Sequence, residues 1–185
     1  MRTPSTAVLA VFAVLGAAGC GHDWTVLRAS GPPSALRGAR TFAIASDFSG
    51  VHVEGERAAG ERTPEENVHD AMLAGLRAES PGRALPAAEA GTGPDVVLVA
   101  VKYVHIDPGV ITPFAGKRDA RVTARVRFIR GGHDLDEIEL TVASRAHVDL
   151  DPTDAGGHGT KNGRLRLCGR QLGWRIARFL TGATK

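Results

Sequence analysis

A run of apolar residues near the middle of the chain most constrains how the chain can fold. Residues 95–106 read DVVLVAVKYVHI, and the six residues 96–101 are all apolar. A strand with one solvated face alternates apolar and polar residues, whereas a strand buried on both faces is apolar throughout. The run therefore predicts a central strand that is covered on both sides. Its alternation places Tyr103 and His105 together on one face.

Two segments before this strand predict another strand and a helix. Residues 41–48 read TFAIASDF and alternate in polarity, which indicates a strand with one buried face. Thr63 is expected to cap a helix, because Pro64 suits the first helical position and Glu66 completes a capping box. The helix should end before residues 80–94, which are rich in Pro, Gly and Ala and predict a loop.

The second half of the chain predicts a loop, a hairpin and a last helix. Residues 107–120 contain two prolines and two glycines and should form a long loop. Residues 121–130 and 137–148 alternate around a glycine pair, which is typical of a β-hairpin. Residues 163–180 carry an apolar stripe at helical spacing and predict the last helix.

The apolar pattern also predicts the hairpin register. Pairing Phe128 with Ile138 sets the apolar residues of both strands on one face. The same register places Arg127 opposite Glu139 on the other face, where opposite charges attract. The arginines of that outer face either meet acidic lipid head groups or are neutralised by neighbouring glutamates. The residues concerned are Arg121, Arg125 and Arg127, with Glu137 and Glu139.

The element order β-α-β-β-β-α predicts an α+β fold. We expect a two-layer sandwich with a mixed sheet and both helices on one face. The first β-α-β unit should be a right-handed crossover, and the later strands an antiparallel meander. Residues 41–182 should form this single domain. Aromatic residues make up only 5% of the chain, so the core should consist mostly of Val, Leu, Ile and Ala.

The first 20 residues have the layout of a secretory signal peptide. A weakly basic start precedes the apolar run of residues 7–18, and Cys20 follows shortly after it. A cysteine directly after small residues resembles a bacterial lipoprotein signal, which is cut before the cysteine. The resemblance implies that residues 1–19 are removed and that Cys20 carries the lipid. Residues 21–40 mix Gly, Pro and Ser without a sustained period, so residues 20–40 should form a tether. The alternative is earlier cleavage and a Cys20–Cys168 disulfide.

Several short patterns along the chain together resemble a known class of protein. They are the signal ending at Cys20, Asp47-Phe48, the helix with Leu73 and Leu76, Asp95-Val96-Val97-Leu98, and Asp107-Pro108-Gly109. With these patterns the chain resembles small outer-membrane lipoproteins of unknown function in Gram-negative bacteria. The resemblance implies an anchor in the outer membrane, a domain facing the periplasm and a place beside envelope assembly or transport machinery. Gly21 stands where inner-membrane retention requires aspartate.

Composition and motifs exclude several functions. The net charge of +3 reflects a small excess of arginine, and a secreted protein rarely meets nucleic acid. The sequence contains no G-x-S-x-G, no phosphate-binding glycine loop and no H-E-x-x-H. Cys168 lies on the apolar stripe of the last helix, which favours a buried, inert thiol over a nucleophile. We therefore expect a non-enzymatic protein without a cofactor.

One stretch offers weak candidate metal ligands. The ligands would be imidazole and carboxylate groups, which can hold a divalent ion. The calcium-loop pattern fails there in either register, so the alternative is a solvated acidic turn. An enzyme that uses this stretch is a further alternative. The residues are His147, Asp149, Asp151, Asp154 and His158.

The first functional hypothesis is a lipid-anchored, non-catalytic interaction or accessory module. Its partners would be the membrane, through the lipid, and another envelope protein. Trp174 and Leu167 fall nearly opposite the apolar stripe and are candidate contact residues, as is Phe114 in the long loop. Trp24 in the tether either docks onto the domain or sits at the membrane interface.

The second functional hypothesis is a domain that binds a small ligand or a lipid. Its site would lie near residues 107–120, beside the central strand. A pocket lined by Tyr103 and His105 would favour this hypothesis.

Overall fold

The computed structural model describes residues 24–29, 36, 38–55, 62–91, 93–112, 116–144 and 160–182. The strands are β1 Trp24–Ala29, β2 Thr41–Asp47, β3 His52–Val53, β4 Ala84–Pro86, β5 Val96–Asp107, β6 Val110–Thr112, β7 Gly116–Arg118, β8 Arg121–Arg130 and β9 His133–Ala143. The helices are α1 Pro64–Glu79 and α2 Lys161–Thr181.

Seven strands form one mixed sheet. The strand order is β1-β9-β8-β5-β2-β4, and the short β3 pairs with the far end of β5. β2 pairs in parallel with both β4 and β5, and β3 pairs in parallel with β5. The remaining strand pairs of this sheet are antiparallel. β6 and β7 form a separate two-stranded sheet. The predicted α+β fold with a mixed sheet is confirmed.

Both helices pack on one side of the sheet, which we term the covered face. Alternate residues of β2, β5, β8 and β9 join α1 and α2 in a single hydrophobic core. The strand residues are Phe42, Ile44, Val97, Val99, Val101, Tyr103, Val122, Ala124, Val126, Phe128, Ile138, Leu140 and Val142. The helix residues include Val68, Met72, Leu76, Leu165, Cys168, Leu172 and Ile176. The predicted placement of both helices on one face is confirmed.

The start of α1 has the predicted capping box. The Thr63 hydroxyl accepts a hydrogen bond from the Glu66 amide at 3.1 Å, and the Glu66 carboxylate accepts one from the Thr63 amide at 2.9 Å. These two bonds satisfy donors that a helix start otherwise leaves unpaired. Pro64 occupies the first turn, as predicted.

Three glycines let the two helices approach each other closely. A Cβ added at Gly173 would lie 2.0 Å from the Met72 carbonyl oxygen, and one at Gly169 would lie 2.4 Å from the Val68 carbonyl oxygen. On the facing helix, a Cβ at Gly75 would lie 2.3 Å from the Arg170 carbonyl oxygen. No side chain larger than hydrogen fits at these positions, because backbone atoms of the facing helix occupy the space.

Strands occupy three segments where the sequence predicted none. Residues 24–29 of the predicted tether form β1, which pairs antiparallel with β9 and adds an edge strand to the domain. The predicted loop 80–94 contains β4, which pairs with β2. The predicted loop 107–120 contains the β6–β7 hairpin. Each of these strands is short and is stabilised by pairing with a neighbouring strand, so the local sequence shows no strand periodicity.

The register of the β8–β9 hairpin differs from the predicted one by two residues. Ile138 lies opposite Val126, and Glu139 lies opposite Arg125, each two residues away from its predicted partner. Because the side-chain period of a strand is two, this shift keeps every side chain on its predicted face. The predicted faces are therefore right and the predicted partners wrong.

A two-residue turn and a register shift between Phe128 and Ile129 together explain the difference in register. Gly131 and Gly132 have φ angles of 57° and 81°, which a two-residue hairpin turn requires at both positions. Such a tight turn lets β9 begin at His133, four residues earlier than predicted.

A β-bulge in β5 overturns the prediction that Tyr103 and His105 share a face. Tyr103 lies opposite Ala124 on the covered face, but His105 lies opposite Thr123, so Val104 is the extra residue. A bulge reverses the alternation beyond it. His105 therefore points to the other side of the sheet, which we term the open face.

β5 is central in the sheet but is not covered on both sides as predicted. Its inward residues are buried, whereas Val96, Leu98 and Ala100 on the open face are only half-buried and Lys102 is exposed. The reason is that both helices lie on the covered face.

Candidate functional site

The open face carries ion pairs along β8 and β9. Arg125 donates a hydrogen bond to Glu139 at 2.9 Å, and Arg127 donates two to the Asp134 carboxylate at 2.8 and 3.0 Å. Arg28 of β1 adds a third cation, 3.4 Å from the same Asp134 carboxylate. The Arg127 guanidinium holds the pKa of Asp134 below its usual range. Arg125 therefore pairs with a glutamate that the sequence predicted, Glu139, whereas Arg127 pairs with Asp134, which was not among the predicted partners.

A cluster of two histidines and one glutamate lies at one end of the open face. The groups are His52, Glu54 and His105, whose potential ligand atoms all lie within 4.8 Å of one another. His105 Nε2 is 2.9 Å from Glu54 Oε1, and the two imidazole rings have centroids 5.4 Å apart. His52 is exposed and the other two are half-buried, so solvent reaches the cluster.

Strand pairing positions the three side chains. His52 and Glu54 are two residues apart along an extended segment, which directs both to one side. His52 pairs with His105 across the parallel strands β3 and β5, and the Glu54 amide donates to the Ile106 carbonyl at 2.9 Å. The bulge at Val104 then turns His105 toward them. Main-chain hydrogen bonds therefore hold all three residues together before any ligand arrives.

The donor atoms of this cluster suit two chemical roles. A histidine that contacts a carboxylate through one ring nitrogen keeps that nitrogen protonated and offers the other as an acceptor. Two imidazoles and a carboxylate are also ligands that divalent transition metals accept. The residues that could hold a metal in the described part of the chain are thus His52, Glu54 and His105.

Sequence reasoning missed this cluster. One signal was present, because the spacing His-x-Glu at positions 52–54 puts both side chains on one side of any strand. The third member, His105, is remote in sequence and was assigned to the opposite face. The metal candidates chosen instead, His147, Asp149, Asp151, Asp154 and His158, lie outside the described residues.

Cys168 is buried, as its position on the apolar stripe predicted. It is a free thiol whose Sγ lies 3.4 Å from the Ala120 carbonyl oxygen. Burial raises the pKa of the Cys168 thiol to about 12. The thiolate, which is the reactive form, is therefore scarce at neutral pH.

The predicted contact residues have different surroundings. Trp174 is half-buried, and the Arg178 guanidinium lies 4.4 Å from its ring centroid. Leu167 is only 2% exposed, so its predicted place on an open surface is wrong. The helix is enclosed on more sides than a single stripe implies, because α1 packs beside it. Phe114 lies outside the described residues, as does the predicted lipidation site Cys20.

The edge strand β1 carries apolar side chains that face solvent. Val26 and Leu27 are 49% and 47% exposed. Pairing of β1 with β9 shows that this part of the predicted tether docks onto the domain. Neither helix in the described ranges is long and apolar enough to span a membrane.

Tyr103 and His105 do not form the pocket that the second functional hypothesis places beside the central strand. Tyr103 is fully buried in the core, where its ring stacks on Phe48 with centroids 4.3 Å apart. His105 lies on the opposite side of the sheet, where it contacts Glu54. The two side chains therefore do not line one cavity.

His69 of α1 is a half-buried residue at the edge of the core. Its Nδ1 is 2.9 Å from the Ser46 hydroxyl, and its ring meets Phe48 edge-on. Burial lowers the pKa of His69 below the ordinary value of 6.5.

Comparison with known proteins gives only distant structural likeness. No family model and no curated protein matches the chain. The PelC dodecamer from Paraburkholderia phytofirmans is 13% identical, with a TM-score of 0.45 over 82% of this chain and 97% of that one. Protein XCC0632 from Xanthomonas campestris is 12% identical, with a TM-score of 0.44 over 84% and 93% of the two chains. At these values the likeness carries no information about function.

Proposed function

We propose that this protein is a lipid-anchored, non-catalytic accessory module of the cell envelope. The lipid on Cys20 would hold it at the outer membrane, facing the periplasm, where it meets another envelope protein. The observation that carries the proposal is the apolar run of residues 7–18 followed by small residues and Cys20.

The position of β1 supports an anchor close to the domain. β1 begins at Trp24, four residues after Cys20. An extended chain advances at most about 3.6 Å per residue, so Val26 lies within roughly 22 Å of the lipidated cysteine. The exposed Val26 and Leu27 therefore stand near the membrane surface, where apolar side chains are favourably placed. The anchor and the edge strand together restrict how the domain can be oriented.

The open face supports a role in protein contact. It presents half-buried apolar residues beside charges of both signs, a composition found in interfaces that are not permanent. Leu98 and Ala100 lie next to the arginine–carboxylate pairs on the neighbouring strand. The non-catalytic part of the proposal is supported by the buried, protonated thiol of Cys168.

Cell fractionation tests the anchor. Cys20→Ser should move the protein from the membrane fraction to the soluble fraction, because the proposed lipid acceptor is lost. Cys168→Ser is the matched control and should leave the protein in the membrane fraction. Retention of the Cys20→Ser variant in the membrane would contradict the proposed anchor.

Site-specific crosslinking tests the contact surface. A photoreactive residue at Thr123 on the open face should capture a defined envelope protein in intact cells. The same residue at Glu65, on the first turn of α1 and distant from the open face, is the matched control. A third position, Trp174, tests the predicted contact on α2. Capture from Glu65 but not from Thr123 would rule out the open face as the contact surface.

A further inference from the structure

We infer that His52, Glu54 and His105 form a binding site for a divalent transition metal ion such as Zn²⁺. The inference does not depend on the lipid anchor. It rests on the donor atoms, their separation, their main-chain support and their exposure.

The separation of the donor atoms fits one metal ion. Zinc binds imidazole nitrogen and carboxylate oxygen at about 2.0–2.2 Å in a tetrahedral arrangement, which separates neighbouring ligand atoms by about 3.4 Å. The candidate atoms of the cluster lie within 4.8 Å of one another. Small side-chain rotations therefore bring all three to bonding distance, with no movement of the backbone.

The backbone geometry positions the three candidate ligands next to one another. Two ligands come from one extended segment, and the third comes from the strand paired with it. The His52–His105 pairing and the hydrogen bond between the Glu54 amide and the Ile106 carbonyl fix the spacing. The bulge between Tyr103 and His105 is required, since without it the His105 ring would enter the core. Bulges often re-aim a side chain at a functional site.

Contact between His105 and Glu54 prepares the ring for a metal. In the structure, His105 Nε2 is 2.9 Å from the glutamate oxygen. The incoming ion replaces the proton of this pair, so that nitrogen and oxygen both become ligands. In a neutral imidazole that proton moves to Nδ1, and because the ligating nitrogen must be unprotonated, metal binding is weaker at acidic pH.

The three ligands leave a further coordination position directed away from the sheet. Three protein ligands around zinc leave the fourth position for water or for a group from outside the chain. Since His52 is exposed, this position faces the medium.

Titration with zinc tests the inference on the whole chain, purified in detergent with a tag that contains no histidine. The wild type should bind one Zn²⁺, and Co²⁺ in its place should give visible absorption bands typical of tetrahedral nitrogen and oxygen ligands. His105→Ala should weaken binding by about 100-fold or more, since even loss of a supporting outer-shell group costs 10–100-fold. His52→Ala and Glu54→Gln should weaken it as well.

Two controls separate this site from others. His133→Ala removes an exposed histidine at the β8–β9 turn and should leave the affinity unchanged. The double variant His147→Ala/His158→Ala removes the histidines of the alternative metal stretch and should also leave it unchanged. Circular dichroism of each variant checks that the fold is retained.

Two results would overturn the inference. One is the absence of saturable zinc binding by the wild type at millimolar zinc. The other is binding that survives His105→Ala but is lost in the His147→Ala/His158→Ala variant, which would place the metal elsewhere. Neither result would affect the membrane anchor, which fractionation tests separately.

Discussion

The two faces of the sheet are built from the same strands but held in different ways. On β8, Phe128 is fully buried and stacks on Phe179 of α2, with ring centroids 5.0 Å apart. Its neighbour Arg127 points to the open face, where half of its side chain is exposed and it pairs with Asp134. The covered face is thus stabilised by apolar burial, and the open face by charge pairing.

This difference shows where the protein is free to carry function. Packing on the covered face is close, since a Cβ at Gly173 of α2 would overlap the backbone of α1. The open face tolerates polar groups, a bulge and a histidine–glutamate cluster, because its side chains remain in contact with solvent. Substitutions on the covered face should therefore have the largest effects on stability, and substitutions on the open face should affect function.

Removal of an aromatic ring from the covered face should have the largest effect on stability. Phe128→Ala should lower the free energy of unfolding by about 4 kcal/mol, through lost burial and the cavity left behind. Chemical denaturation monitored by circular dichroism measures this value. A change below about 1 kcal/mol would mean that the covered face is not a closed core.

Substitution at the helix contact should have the next largest effect. Gly173→Ala should destabilise the fold by about 3 kcal/mol, because the helices must separate to admit the methyl group. The higher helix propensity of alanine recovers only about 1 kcal/mol. Gly93→Ala is the matched control, since an added Cβ there has no neighbour within 4 Å. Equal stability of the two variants would exclude the close helix approach.

Loss of an ion pair on the open face should have a small effect. Arg127→Ala should change the free energy of unfolding by less than about 1 kcal/mol, because exposed ion pairs contribute little. Phe128→Ala is the matched comparison, because Arg127 and Phe128 are adjacent residues of β8 that point to opposite faces of the sheet. Similar losses for the two variants would show that the faces do not differ as described.

The smallest effect should come from the titration of His69. Burial lowers its pKa in the folded state below 6.5, so the folded protein favours the neutral ring. The contribution of His69 to the free energy of unfolding should therefore be constant above pH 6.5. It should fall as the pH drops toward the folded pKa, where the buried ring becomes charged. His69→Gln should flatten this part of the stability profile, and an unchanged profile would assign the pH dependence to other groups.

The sequence predicted the covered face better than the open one. The alternation along 41–48 and 121–130 correctly predicts β2 and β8, and Thr63 correctly predicts the start of α1. These signals are local in the sequence. The hairpin partners were wrong because the two-glycine turn is tighter than the predicted loop. Strand β1 was missed because its order comes from pairing with β9.

The candidate metal cluster could not be predicted, for a related reason. A single extra residue, Val104, reverses the direction of His105, and no local pattern marks it as a bulge. The two-residue strand β3 that brings His52 alongside is too short to show periodicity. Features that depend on pairing between distant segments are therefore the ones that the sequence leaves open.

The proposed lipid anchor would decide which surfaces face the membrane and which face a partner, so its chemistry is the most direct test. Mass spectrometry of the protein isolated from membranes measures the mass of its N-terminal peptide. We expect that peptide to begin at Cys20 and to carry the lipid. An unmodified N-terminus at another residue, with Cys20 joined to Cys168 in a disulfide, would contradict the anchor and the orientation derived from it.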